Sequence, residues 1–211
     1  MYVPQNYRED RPQILHDLIR RFAFATLITS ADGHFEANHL PLFLDASRAE
    51  HGVLRGHVAR PNTVWQSLSQ NREVLCVFLG PHAYISPAWY RSAGPHVPTW
   101  NYAAVHVWGR PRLIEGAELR QHLFELVEFF ESDHAQPWSA RNQPEEFLDR
   151  MQRAIVGFEI EITRIQGKRK LGQNRTKEDR EGAATALAST GDALAAEISQ
   201  LMRSIETHAG P

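Results

Sequence analysis

The apolar runs in the first half of this chain follow one another too closely for anything but local antiparallel pairing. Phe22–Thr29, Phe35–Leu44, Val53–Val58 and Glu73–Leu79 are divided by short stretches rich in Ser, Asp, Asn, Gly and Pro. A parallel neighbour needs a crossover of about a dozen residues or more, usually a helix. Most of these gaps cannot hold one, so the expectation is a β-rich barrel or sandwich with helices at its margins. Ser30-Ala31-Asp32-Gly33 reads as a turn. Pro41 removes a ladder donor inside the second run and marks an edge or a bulge. Gly80-Pro81 is expected to end the fourth strand.

Ala83–Ser86 and Tyr102–Ile114 extend the series, the latter bent at Gly109-Arg110-Pro111. The clearest two-residue period lies in Ile155–Ile165, where Val156, Phe158, Ile160 and Ile162 alternate with Glu159, Glu161 and Thr163. Helical spacing appears over Pro12–Arg21, in a short segment from Thr63 to Leu68, over Ala117–Asp133 (Leu119, Leu123, Val127, Phe130) and over Pro144–Arg153. A last helix from Asp192 to Ile205 carries Leu194, Ile198, Leu201 and Ile205 on one face, which must dock on its own domain or on a second subunit. Residues 1–181 therefore read as one domain. Residues 182–211 read as a linker and docking helix of that domain, with the Ala/Gly/Thr-rich stretch 182–191 as a mobile linker.

Several classes are excluded. Lys plus Arg (23) and Asp plus Glu (25) nearly balance, so no overall basic bias points to nucleic acid. The single Cys76 rules out an internal disulfide and a Cys-rich zinc site, and its apolar run predicts a buried thiol. No apolar run approaches the ~20 residues that span a bilayer, and no secretory leader is visible, so the expectation is a cytoplasmic protein without a membrane partner. Dinucleotide-fold and P-loop glycine patterns, a G-x-S-x-G elbow and an H-E-x-x-H pair are all missing, and so is a helix-turn-helix pattern. The eleven histidines are scattered. No catalytic side chain and no metal ligand set stands out, and His39, His57 and His106 read as hydrogen-bonded strand residues.

Three segments carry candidate chemistry. Gly56-His57-Val58-Ala59-Arg60-Pro61-Asn62-Thr63 brings a guanidinium, an amide and a hydroxyl to a strand-to-helix turn. That set suits a phosphate monoester, although Pro61-Asn62-Thr63 equally suits a plain turn and helix cap. Val97-Pro98-Thr99-Trp100-Asn101-Tyr102, with Tyr84-Ile85-Ser86-Pro87-Ala88-Trp89-Tyr90 upstream, puts aromatic faces beside hydroxyl and amide groups. It suits a flat, polar-edged ligand, or else an aromatic corner closing a barrel end. Lys170-Leu171-Gly172-Gln173-Asn174-Arg175 lies in a stretch, 164–180, where seven basic side chains face two acidic ones. That composition fits an anion-contacting loop as well as a solvated basic turn. Residues 115–149 have the opposite bias, with nine acidic side chains against two arginines.

In this order, Met1-Tyr2-Val3-Pro4, His39-Leu40-Pro41, the Gly56–Asn62 segment, Tyr84-Ile85-Ser86-Pro87, Val97–Tyr102 and Lys170–Asn174 resemble the PaiB-like family of FMN-binding negative transcriptional regulators. The match runs over nearly the whole chain and departs at Gly172, where the family pattern suggests Ser. The resemblance implies an α+β protein dominated by β: an FMN-binding split β-barrel with flanking helices and a C-terminal helix, forming a homodimer with FMN at the subunit interface. It implies that Asn38, His39, Leu40 and Pro41 face the ring, that His57, Arg60 and Asn62 hold the phosphate, that Thr99, Trp100 and Asn101 touch the ring or ribityl chain, and that Lys170 and Gln173 close the site. DNA is implied as a partner by the family description alone, since no DNA-reading motif is visible. The other reading is an FMN-dependent oxidoreductase or flavin reductase using a reduced nicotinamide as donor.

Overall fold

The close spacing of the strands is realised as antiparallel pairing. The computed structural model describes residues 1–31 and 33–205; Asp32, within the expected Ser30–Gly33 turn, lies outside the described residues. The elements run β1 (Arg8–Glu9), α1 (Pro12–Arg21), β2 (Phe24–Ala31), β3 (His34–Pro41), β4 (Phe43–Asp45), β5 (Val53–Ala59), α2 (Val64–Leu68), β6 (Val74–Ile85), β7 (Thr99–Ile114), α3 (Gly116–Glu131), α4 (Glu145–Arg153), β8 (Ile155–Lys170), α5 (Lys177–Ala188) and α6 (Ala193–Arg203). The sheet order is β3-β2-β6-β7-β8-β5-β4, with β1 added alongside β8. All registered pairs are antiparallel, including Leu27 with Asn38, Leu27 with Cys76, and Arg55 with Glu159.

The chain forms two units. One contains Ala23–Val77 and Val107–Ile165; the other contains Met1–Phe22, Phe78–His106 and the described residues from Gln166 onward. In the first, inward residues of β2, β5 and β8, such as Leu27, Leu54, Phe158 and Ile160, are fully buried. Cys76 is buried as expected, and burial pushes its thiol up to about 12. In the second unit, Ala83 and Ile85 of β6 pack with Leu171, with Ala183, Ala184 and Leu187 of α5, and with Ala195, Ile198 and Met202 of α6.

Four local expectations are corrected. Gly80-Pro81 does not end β6; the buried set shifts phase there from Val74, Cys76 and Phe78 to Pro81, Ala83 and Ile85, as a bulge would make it do. β7, as expected, passes through Gly109-Arg110-Pro111. A Cβ on Gly109 would lie 2.3 Å from the Glu161 carbonyl oxygen, so glycine is what lets the strands approach. Strand β8 continues five residues past Ile165, because β1 pairs Arg8 with Lys168 and Glu9 with Gly167. The stretch 182–191 is not a linker in its first part: Thr176 caps α5 by accepting from the Asp179 N–H, and the alanines that suggested mobility are good helix formers. In α3 the buried face is Leu119, His122 and Leu126, so Phe130 is exposed and Leu123 and Val127 only flank the core. Pro41, by contrast, closes the edge strand β3 as its missing donor predicts.

The strongest polar tie in the first unit is the buried Glu159 carboxylate. Arg48 reaches it through two nitrogens at 2.8 and 3.0 Å, Arg112 Nε donates at 2.7 Å, and Arg55 lies across the strand pair at 3.6 Å. Burial alone would raise its pKa, but the bonds and charges of Arg48 and Arg112 outweigh that and lower it. Replacing Glu159 by Ala should take the bonded carboxylate from Arg48, while Arg55 keeps Glu125 and Arg112 keeps Glu118, and lower stability by about 2–3 kcal/mol. Urea unfolding at pH 7 should show a lower midpoint with an unchanged slope; a loss below about 1 kcal/mol would contradict this role.

Candidate functional site

The sequence-predicted residues fall into the two units, seven in the first and five in the second. In the first unit, Asn62 has the geometry of a helix start: its Oδ1 accepts from the Val64 N–H at 3.0 Å. Its Nδ2 donates to Asn38 Oδ1 at 2.8 Å, tying the turn before α2 to β3. His39, on the solvent side of β3, shares a 3.1 Å hydrogen bond with the Thr26 hydroxyl and stacks on Phe24. Leu40 points inward and is buried, and Pro41 follows it at the strand end. Arg60 is turned toward backbone: Nε donates to the Arg153 carbonyl at 2.8 Å and Nη2 to that of Ile155 at 2.7 Å.

His57 occupies a drier place than its sequence context suggests. Its Nδ1 is buried without a hydrogen-bond partner, and its ring lies 6.3 Å from that of His122. His122 is fully buried with neither nitrogen paired. Burial lowers both imidazole pKa values, that of His122 to about 4, with the charges of His57 and Arg55 adding to the effect and Glu159 opposing it. Sequence reasoning missed His122; the Leu119–His122–Leu126 spacing was the available signal.

A cavity of about 570 Å³ lies in the same unit, bordered by Arg60, Arg120 and Arg153 and by Glu115, Glu145 and Asp149. Three guanidiniums face three carboxylates. Arg120 is already bound to Glu145 at 2.7 Å, Asp149 at 2.5 Å and Gln152 at 2.7 Å. The cavity therefore holds no excess positive charge for a phosphate.

In the second unit, β7 begins at Thr99 beside the end of β8. Lys170 Nζ donates to the Thr99 hydroxyl and, at 2.8 Å, to the Trp100 carbonyl. The Trp100 side of the strand is open: the residue is 53% exposed, with Tyr84 edge-on at 6.1 Å and His82 at 6.3 Å. Asn101, on the opposite side, is buried and donates to the Met202 sulfur at 3.3 Å. Gln173 is committed to its own loop, accepting from the Leu171 N–H at 2.8 Å and donating to the Arg169 carbonyl at 2.5 Å. Gly172 has φ +85°, the left-handed region in which a Ser would be strained, so the departure from the family pattern suits this loop. The loop Arg91–Ser92 is pinned by buried Asp179, which accepts from both N–H groups at 2.8 Å and from the Ser92 hydroxyl at 2.7 Å.

Residues 1–164 match the family model described as "Putative FMN-binding domain". The chain is 32% identical over 202 residues to "Protease synthase and sporulation protein PAI 2" of Bacillus subtilis, with 96% of each chain covered. It belongs to the PaiB-like family of FMN-binding proteins. Its cofactor is accordingly FMN or a related flavin. Solved structures share the split-barrel fold. The FAD and heme binding protein from Mycobacterium smegmatis superposes with a TM-score of 0.60 at 16% identity, covering 85% of this chain and 80% of that one. The flavocytochrome Anf3 from Azotobacter vinelandii gives 0.57 at 15%, with 80% and 72% covered. The residues present fit a flavin mononucleotide: an open aromatic face for a flat ring, with lysine and arginine side chains close by for a phosphate. Among the described residues no helix is long and apolar enough to cross a membrane.

The buried histidine pair has a measurable consequence. A His whose folded pKa is depressed stabilises the protein fully above its unfolded pKa near 6.5. That contribution is lost as pH falls from there toward the folded value near 4, about 3 kcal/mol in all. The urea midpoint should therefore drop between pH 7 and 4, and His122→Leu should flatten the drop. Parallel pH profiles for the two proteins would refute the assignment.

Proposed function

We propose that this protein is a cytoplasmic FMN-binding regulator that works as a homodimer, with the flavin held at the subunit interface. The open Trp100–Tyr84 face beside the Lys170 ammonium is the observation that carries the reading. Trp100 and Tyr84 wall the isoalloxazine, and Thr99, oriented by Lys170, presents a hydroxyl to its polar edge. Asn101 and Gln173 act behind this surface, one anchoring β7 on α6 and the other holding the loop after β8. Asn38 and His39 lie on β3 where a second copy would approach, and Leu40, Pro41, His57 and Asn62 support that strand and the following turn. Bound flavin supplies one- and two-electron redox chemistry; the chain's own part is to bind it, orient it and limit water at one ring face.

Dimerisation is supported by an apolar outer surface in the first unit. Phe24 is 72% and Phe35 80% exposed. Between them Ile28 pairs with Ala37 on one side and Leu75 on the other, and Thr26 pairs with Val77. These exposed apolar side chains, with Thr26 and His39 among them, are costly in water and suit a second copy of the same chain. The regulatory reading draws on the Bacillus relative, whose name links that protein to protease synthase and sporulation. The balanced net charge of −2 argues for regulation without an extended DNA contact. An oxidoreductase remains the second reading because the exposed half of Trp100 leaves room for another flat molecule; bleaching of the flavin by a reduced nicotinamide under anaerobic conditions would favour it.

Added FMN should shift its visible spectrum on binding, and Trp100→Ala should weaken FMN and riboflavin alike by about tenfold. No spectral shift with either flavin would remove the proposal. Phe24→Asp combined with Phe35→Asp should convert a dimer to a monomer in light scattering while the far-ultraviolet circular dichroism stays unchanged; a persisting dimer would place the interface elsewhere.

A further inference from the structure

Most buried charges in this protein are answered locally. Glu159 meets three arginines, and Glu9 meets Arg11 and Arg169, whose bonds overcome the opposing effect of burial and hold its pKa near 2. The residues around the end of β8 differ. Lys168 is only 8% exposed, yet its ammonium meets the Tyr2 carbonyl at 3.1 Å and the ring faces of Tyr2 and Tyr102. Lys170 meets the Thr99 hydroxyl and the Trp100 carbonyl. Arg175 lies over the Tyr90 ring at 4.5 Å and approaches His96 Nδ1 at 3.3 Å. Among the described residues none of the three has a carboxylate partner. Asp179, the acidic side chain of this region, is occupied by the Arg91–Ser92 loop.

We infer that Lys168, Lys170 and Arg175 form an anion site that takes the phosphate monoester of the flavin. A buried ammonium with only neutral partners carries a desolvation cost that a dianion would offset. Burial and the charges of Lys168 and Arg175 lower the Lys170 pKa, which places the three cations within each other's field. The loop is built to hold this arrangement: Arg175 N–H donates to the Gly172 carbonyl at 2.9 Å, and Arg180 donates to the Arg175 carbonyl at 3.0 Å. Charge accounting thus favours this cluster over Arg60, whose guanidinium serves two carbonyls beside a neutralised cavity. Arg60 becomes a positioning residue that ties the end of β5 to the start of β8.

The inference rests on the flavin reading, and the test separates the two. Full-length protein and the variants Lys170→Gln, Arg175→Gln and Arg60→Gln are titrated with FMN and with riboflavin, and thermal midpoints are measured with and without inorganic phosphate. Lys170→Gln and Arg175→Gln should each weaken FMN at least tenfold while leaving riboflavin within twofold. They should also abolish a phosphate-dependent rise in midpoint that Arg60→Gln retains. Equal effects on FMN and riboflavin, or FMN-selective loss only in Arg60→Gln, would overturn the anion site and leave flavin binding intact. A phosphate response lost in Lys170→Gln, in a protein that binds neither flavin, would keep the anion site and remove the flavin reading.

Discussion

Strand β8 is the constraint on which much of the structure depends. It pairs residue by residue with β5 from Ile155 to Glu161 and then with β1 at Gly167 and Lys168. Its alternation sends Val156, Phe158, Ile160 and Ile162 inward and should leave Glu159 in solvent. Glu159 is buried nonetheless, because Arg48, Arg55 and Arg112 surround it. Two of those arginines carry the tie outward to α3, Arg55 to Glu125 at 2.8 Å and Arg112 to Glu118. One carboxylate therefore links the sheet to the helix that covers it. Its worth lies less in the attraction gained than in the three cations that would otherwise be left with weaker partners.

The two units handle charge in opposite ways. In the first, carboxylates outnumber guanidiniums, and Arg120 and Arg60 at its cavity are bonded to carboxylates and to backbone carbonyls. In the second, three cations converge on neutral oxygens and aromatic rings. Neutralised networks hold a fold in place. A cluster of cations without counter-charge carries a desolvation cost, which the phosphate proposed for this site would offset. The open Trp100 face next to the same cluster supplies the second half of the recognition problem, a flat surface for a flat ring.

Much of the candidate site was legible as segments and little of it as roles. The aromatic stretch at Thr99–Tyr102 and the basic run at 168–175 are visible in the chain because their composition departs from what a core strand or a solvated turn needs. Their internal commitments are not visible. Asn101 and Gln173 look like ligand contacts in sequence, yet one faces α6 and the other folds onto its own backbone. Arg60 looks like a phosphate grip, yet two carbonyls occupy it, because hydrogen-bond partners ninety or more residues away have no sequence signature. His122 went unnoticed because a polar residue at a core spacing is normally read as exposed, whereas helix α3 rotates it inward opposite His57.

By itself the sequence determined the antiparallel β-rich class, the position of nearly every helix and the end of the edge strand at Pro41, since these follow from residue spacing, backbone donors and short gaps. It also determined the family, through ordered motifs spread over the whole chain. Only the tertiary structure decided that β6 runs on through Gly80-Pro81, that α5 replaces the expected linker, and that Lys168 and Lys170 are buried or half-buried cations without a carboxylate among the described residues. The physical reason is common to all three. Strand continuity, helix docking and charge compensation are settled by partners distant in the chain, and local composition carries no record of which partner arrives.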